Sequence, residues 1–128
     1  DREGYKVGCP AFEKSWENML ALGYLTPKQR GWFEKGPEKL YGTSEKALAF
    51  AVKNASFFSM ALMLAAKDAG LDSHPMDGFD AEAVRSAFDV PERFFIPLLI
   101  ALGHFDTSKQ LMPAKWRKSY EEIVFASV

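Results

Sequence analysis

The chain has 128 residues, with 16 Lys and Arg against 17 Asp and Glu and a formal net charge of -1. That length holds one domain with a real core and argues against two independent ones, and the balanced charge argues against a general nucleic-acid or anionic-membrane coat, which needs a basic surplus. Cys9 is the single cysteine, which excludes an intrachain disulfide framework and a cysteine-based zinc cluster and makes a reducing, cytoplasmic setting the expectation.

The chain opens Asp1-Arg2-Glu3-Gly4 with no initiator Met and no apolar h-region, and it reads as though it begins inside a domain. Residues 1–9, around Tyr5 and Val7, suggest the tail of a strand. Pro10 at a first helical position starts a helix that Gly23 stops. Its apolar face is marked by Trp16, Met19 and Leu20. Thr26-Pro27 repeats the start signal for a short helix ending near Gly36. Residues 36–42, with Gly36-Pro37 at one end and Gly42 at the other, read as a loop or single turn.

The strongest element follows. Thr43 or Ser44 caps a helix that runs to Gly70 and carries no formal charge between Asn54 and Ala66. A membrane span needs roughly 20 apolar residues, and Lys53 and Lys67 bracket this run too tightly. The expectation is a helix buried on nearly all sides, at the domain centre or in a subunit interface. Residues 71–79 read as a connector. Asp80 caps a short helix over 81–88, with Glu82 in its first turn. Val90-Pro91-Glu92 turns the chain into an apolar run over 94–102 that suits a buried strand with Pro97 at a bulge or edge. Residues 104–119 form a polar, basic loop, and 120–128 a final short strand or arm.

No dinucleotide Gly-x-Gly-x-x-Gly, phosphate loop or His-Glu-x-x-His occurs. His74 and His104 near Asp72 or Asp77 make a poor metal set, so no metal is expected. Cys9 reads as a small apolar filler. Two segments carry more. Pro75-Met76-Asp77-Gly78 is a glycine-containing turn leading into a capped helix, where backbone N–H groups can approach a flat ligand without an intervening Cβ. Lys115-Trp116-Arg117-Lys118 places two cations on one side of an extended chain, a pattern that suits a phosphate. Residues 66–92 hold seven acids against two bases, whereas 104–118 hold four bases against one acid.

Taken in order, these segments resemble the C-terminal part of the nitroreductase family of FMN-dependent NAD(P)H oxidoreductases. The resemblance spans 44–128. It rests on Asn54-Ala55-Ser56 and Met63-Leu64-Ala65-Ala66, then Ala69-Gly70-Leu71, Pro75-Met76-Asp77-Gly78-Phe79-Asp80, Val90-Pro91-Glu92, Ala101-Leu102-Gly103-His104 and Lys115-x-Arg117. Residues 10–42 resemble the family's variable helical excursion. The resemblance implies an α+β fold, with helices around a small, mostly antiparallel sheet and the long helix central at a dimer interface.

It implies FMN as cofactor and NADH or NADPH as donor. Pro75, Met76, Asp77 and Gly78 would lie at the flavin ring near N5, and Lys115 and Arg117 at its phosphate. Electron-poor acceptors such as nitroaromatics or quinones would be reduced in a ping-pong cycle without a side-chain acid or base. Trp32, Phe33 and Tyr41 would line the acceptor pocket or, equally, pack as core. A homodimer is implied, with no nucleic acid or membrane as partner. The family's Arg-x-Ser-x-Arg and Pro-Ser-x-x-Asn segments do not occur in this chain. It is therefore expected to be the C-terminal part of a longer domain or a shortened relative. A non-catalytic helical dimerisation module, or a family offshoot with another flavin reaction, is the alternative.

Overall fold

The computed structural model describes residues 1–124. In chain order the elements are α1 (Pro10–Ala21), a single 3-10 turn (Pro27–Gln29), α2 (Arg30–Tyr41), α3 (Ser44–Asp68), β1 (Asp72–Met76), α4 (Ala81–Ala87) and β2 (Leu99–Gly103). The two strands pair antiparallel, with Asp72 opposite Gly103 and Met76 opposite Leu99. The architecture is α+β, as expected.

The helix boundaries follow from local chemistry. Thr43 accepts the Lys46 amide at the start of α3. Asp80 accepts the amides of Glu82 and Ala83 at 3.0 and 2.9 Å at the start of α4, which satisfies two donors that a helix start leaves unpaired. Gly23 and Gly70 end α1 and α3 in the left-handed region, at φ of 72° and 78°. Beyond each glycine the next amide reaches back, Tyr24 to the Met19 carbonyl at 3.0 Å and Leu71 to the Ala66 carbonyl at 2.8 Å. This closing geometry needs a residue without a Cβ penalty.

The structure corrects five expectations. Residues 1–9 are successive turns, with Lys6 and Cys9 amides bonded to the Glu3 and Lys6 carbonyls, and among the described residues no strand pairs with them. Residues 36–41 continue α2, with Pro37 inside the helix. Pro37 forfeits one helical hydrogen bond, and the Tyr41 ring compensates by packing on Phe50 at 4.1 Å between centroids. Residues 72–76, expected as connector, form β1, made a strand by its pairing with β2 rather than by its own Asp-Ser-His-Pro composition. The strand expected over 94–102 is confined to Leu99–Gly103, after Pro97. Residues 120–123 form a turn rather than a strand; 125–128 lie outside the described residues.

α3 is also not enclosed by its own chain. Among the described residues only Ala47, Ala51 and Ala66 of this helix are buried, while Phe57, Phe58, Met60 and Leu64 are 56–69% exposed. Phe57, Met60 and Leu64 follow helical spacing and form one apolar stripe. α3 is long and apolar enough to cross a membrane by length and composition alone, with a mean hydropathy of 1.5 over its most apolar window. Lys53, however, sits within it, and the helix packs against α2 and β1. The chain exposes 10454 Å², against roughly 6800 Å² for a self-contained globule of its mass. Among the described residues, half of the exposed large apolar side chains lie on this helix and on residues 111–123.

Candidate functional site

β1, the turn after it and α4 fix the segment 75–80. Asp72 anchors the start of β1. One of its carboxylate oxygens accepts the Phe105 amide at 3.0 Å and the other the Lys67 ammonium at 3.1 Å. Those bonds, the Phe105 amide first and Lys67 second, hold the Asp72 carboxyl below the usual carboxylate range. At the far end Asp80 is committed to the α4 N-terminus. Between these two anchors the Phe79 amide bonds the Asp77 carbonyl at 3.0 Å.

The Asp77 and Gly78 amides donate to no group among the described residues. Space is also open where a Cβ on Gly78 would stand. Two successive backbone donors on an exposed turn, held from both sides, are a preset place for an acceptor atom of a flat ligand.

Lys115 and Arg117 lie in the exposed stretch 104–119, which forms neither helix nor strand. Arg117 turns its guanidinium onto its own backbone, donating to the Trp116 carbonyl at 3.0 Å. Among the described residues no ion pair or side-chain hydrogen bond joins 115–117 to the turn at 75–78.

Trp32, Phe33 and Tyr41 are brought together. All three line one groove of about 820 Å³ between α1, α2 and α3, with Phe12, Phe50 and Asn54 also in its wall. That volume falls in the range of small-molecule pockets, roughly 300–1,000 Å³. Two aromatic clusters supply the lining. Phe33 packs on Phe12 and Trp16 at 5.1 and 5.2 Å, and Tyr41 packs on Phe50 and, edge-on at 5.9 Å, on Tyr5.

Residues that matter to this geometry were not all visible in the sequence. Arg30 lies over the Phe12 and Trp16 rings and pairs with Glu13 and Glu34, so α1 and α2 are joined where both meet the groove. Arg85, with a side chain only 14% exposed, donates to the carbonyls of Val90, Pro91 and Phe94 at 2.9–3.1 Å. It thereby ties α4 to the turn before β2. Arg2 grips the same turn through the Glu92 and Arg93 carbonyls. Apart from Glu34, four residues on from Arg30 in α2, such partners are distant in sequence or are backbone carbonyls, and no spacing rule flags them. Among the described residues, no three His, Cys, Asp or Glu side chains converge on a metal-sized point.

Comparison with known proteins gives a consistent answer. The Nitroreductase family profile matches residues 25–104. The chain is 39% identical over 126 residues to a Bacillus subtilis protein carrying the name NAD(P)H nitroreductase MhqN, covering 97% of this chain and 59% of that protein. Its fold superposes on the crystal structure of the nitroreductase YdfN from Bacillus subtilis with a TM-score of 0.78 and 28% identity, over 92% of this chain and 59% of that one. A nitroreductase family protein from Streptococcus pneumoniae superposes with a TM-score of 0.63 and 26% identity, over 87% of this chain and 56% of that one. The chain thus spans about three fifths of the length of these relatives. With a family match across more than half of its residues and a matching fold, the chain belongs to the nitroreductase family.

Proposed function

We propose that the protein carrying this chain is an FMN-dependent NAD(P)H oxidoreductase that reduces nitroaromatics, quinones or similar electron-poor acceptors. The observation that carries the reading is the pair of unengaged N–H donors at Asp77 and Gly78, on a turn braced by Asp72 on one side and Asp80 on the other. A flavin, when bound, supplies hydride transfer between the nicotinamide and the acceptor in alternating half-reactions. The protein's part is to hold and orient. Pro75 and Met76 deliver the turn from β1, and the Asp77 and Gly78 amides offer hydrogen bonds to the ring edge. Lys115 and Arg117 supply cationic charge for the phosphate, and Trp32, Phe33 and Tyr41 stack against the acceptor. In this reading no side chain is assigned as acid or base.

Residues 10–42 act in this reading as a variable helical insert and 44–128 as the flavin-fold portion. The protein is a cytoplasmic homodimer that binds neither nucleic acid nor membrane. The uncovered stripe Phe57, Met60 and Leu64 on α3 supports a protein partner there rather than lipid, because Lys53 and Lys67 are carried on the same helix.

The test is spectroscopic. The purified full-length protein is expected to show flavin absorbance, to bleach with NADPH or NADH without oxygen, and to regain colour on addition of a quinone. A protein without flavin that also binds no added FMN overturns the reading.

A further inference from the structure

In the α1–α2–α3 groove, α3 contributes Phe50, Ala51, Asn54 and Ala55, and Asn54 is the one polar side chain of that wall. Its amide nitrogen donates to the Phe50 carbonyl at 2.8 Å. A carbonyl oxygen can only accept, so this bond fixes which end of the Asn54 amide is which. The oxygen Oδ1 is therefore preset, and it accepts from no group among the described residues.

The groove around it selects by charge and shape. No Lys or Arg lines it, and its single carboxylate, Asp1, already accepts the Glu3 amide at 2.9 Å and faces Arg93 at 3.8 Å. An anionic ligand finds no Lys or Arg side chain to pair with there, while a flat apolar ring finds faces and edges of several aromatics. Ser15 also lines the groove, but a hydroxyl rotates to suit whatever is near it and does not discriminate as a fixed acceptor does.

We propose that Asn54 is a specificity-determining residue of this groove. The ligand it selects is a planar, uncharged aromatic ring bearing a hydrogen-bond donor, seated among Trp32, Phe33, Tyr41 and Phe50 with its donor on Asn54 Oδ1. Calling this ligand the electron acceptor rests on the oxidoreductase reading above; the binding site itself does not.

The experiment is calorimetric titration of the full-length protein, without nicotinamide donor, using two nearly isosteric probes. Para-nitrobenzyl alcohol carries the donor and para-ethylnitrobenzene lacks it. The wild type is expected to bind the alcohol about three- to tenfold more tightly, the worth of one hydrogen bond. Asn54→Leu is expected to abolish the preference for the alcohol. Trp32→Ala is expected to weaken both. Circular dichroism of each variant separates lost recognition from lost folding, and Asn54 is exposed enough for Leu to be accommodated. Equal affinities in the wild type, a preference that survives in Asn54→Leu, or indifference of both probes to Trp32→Ala overturns the proposal. Absence of flavin absorbance overturns the oxidoreductase reading alone, because no step in this titration involves reduction.

Discussion

The Arg30 guanidinium donates from Nη1 and Nη2 to the two carboxylate oxygens of Glu13, each at 2.8 Å. This two-point grip crosses from α2 to α1, and the same guanidinium lies 5.1 Å from the Phe12 ring centre and 5.3 Å from that of Trp16. Glu13 is held below the ordinary glutamate range by Arg30 first and by the Gly8 amide second. Arg30 is pushed further toward its cationic form by Glu13 and Glu34. A planar fork on aromatic faces is a geometry that lysine does not reproduce. Arg30→Lys is therefore expected to lower the thermal midpoint clearly, and by more than Lys14→Ala, which breaks only the exposed pair with Glu17. A double-mutant cycle with Glu13→Gln, read by thermal unfolding, should give a coupling well above that of Lys14 with Glu17. Equal couplings would count against the grip as the α1–α2 fastener.

Asp72 gives the pH prediction. Its folded carboxyl titrates lower than its unfolded value of 3.8 because the Phe105 amide and Lys67 favour the anion. The unfolded chain therefore binds the proton first as pH falls. The stabilising contribution is complete well above the unfolded value of 3.8 and is lost as pH descends through the depressed folded value. Urea midpoints of the wild type and Asp72→Asn are expected to differ most at neutral pH and to converge as pH falls through the depressed folded value. A constant gap across that window would mean that the carboxylate charge is not what braces β1.

Gly70 and Asp89 both adopt left-handed backbone, at φ of 78° and 50°. Gly70→Ala is expected to cost about 1 kcal/mol, since the Cβ is strained there. Asp89→Gly relieves such strain while loosening the unfolded chain, so its net effect is expected within about 0.5 kcal/mol. Chemical denaturation of the two single variants checks the contrast.

At the turn, substitution distinguishes backbone from side chain. Gly78→Pro removes an N–H donor, whereas Asp77→Ala keeps both amides. Gly78→Pro is expected to slow flavin reduction by NADPH at least about tenfold, as expected when a preset donor at the reacting ring is lost. Asp77→Ala is expected to have a much smaller effect, measured by stopped-flow absorbance on protein of matched flavin content.

For assembly, Phe57→Asp combined with Leu64→Asp places two charges on the α3 stripe. Light scattering on the full-length protein is expected to move from dimer mass to monomer mass. Retention of the dimer would place the subunit contact elsewhere.

How much of this was legible in the sequence depends on whether the cause was local. The ends of α3 and α4 were readable because Thr43, Gly70 and Asp80 act on amides and carbonyls within a few residues. The meeting of Trp32, Phe33 and Tyr41 was signalled only through resemblance. What assembles them is Phe12 and Phe50 reaching in from α1 and α3. β1 was hidden because a strand containing Pro75 violates strand preference and exists through its partner. The 36–41 turn of α2 was hidden because Gly36-Pro37 looks like punctuation, while the packing that overrides it comes from residues 5 and 50.

The β1–β2 ribbon carries a consequence for how the chain behaves when made. Among the described residues the sheet has two strands, which leaves two open edges, and an isolated pair of this length is marginal in water. Pro75 removes one donor from β1, whereas every residue of Leu99–Gly103 keeps its N–H. Of the two strands, β2 is thus the better template for a further strand. Synthesised alone, the chain is expected to form aggregates by edge-to-edge growth from β2. A lysine placed on that strand should keep it soluble without disturbing the helices.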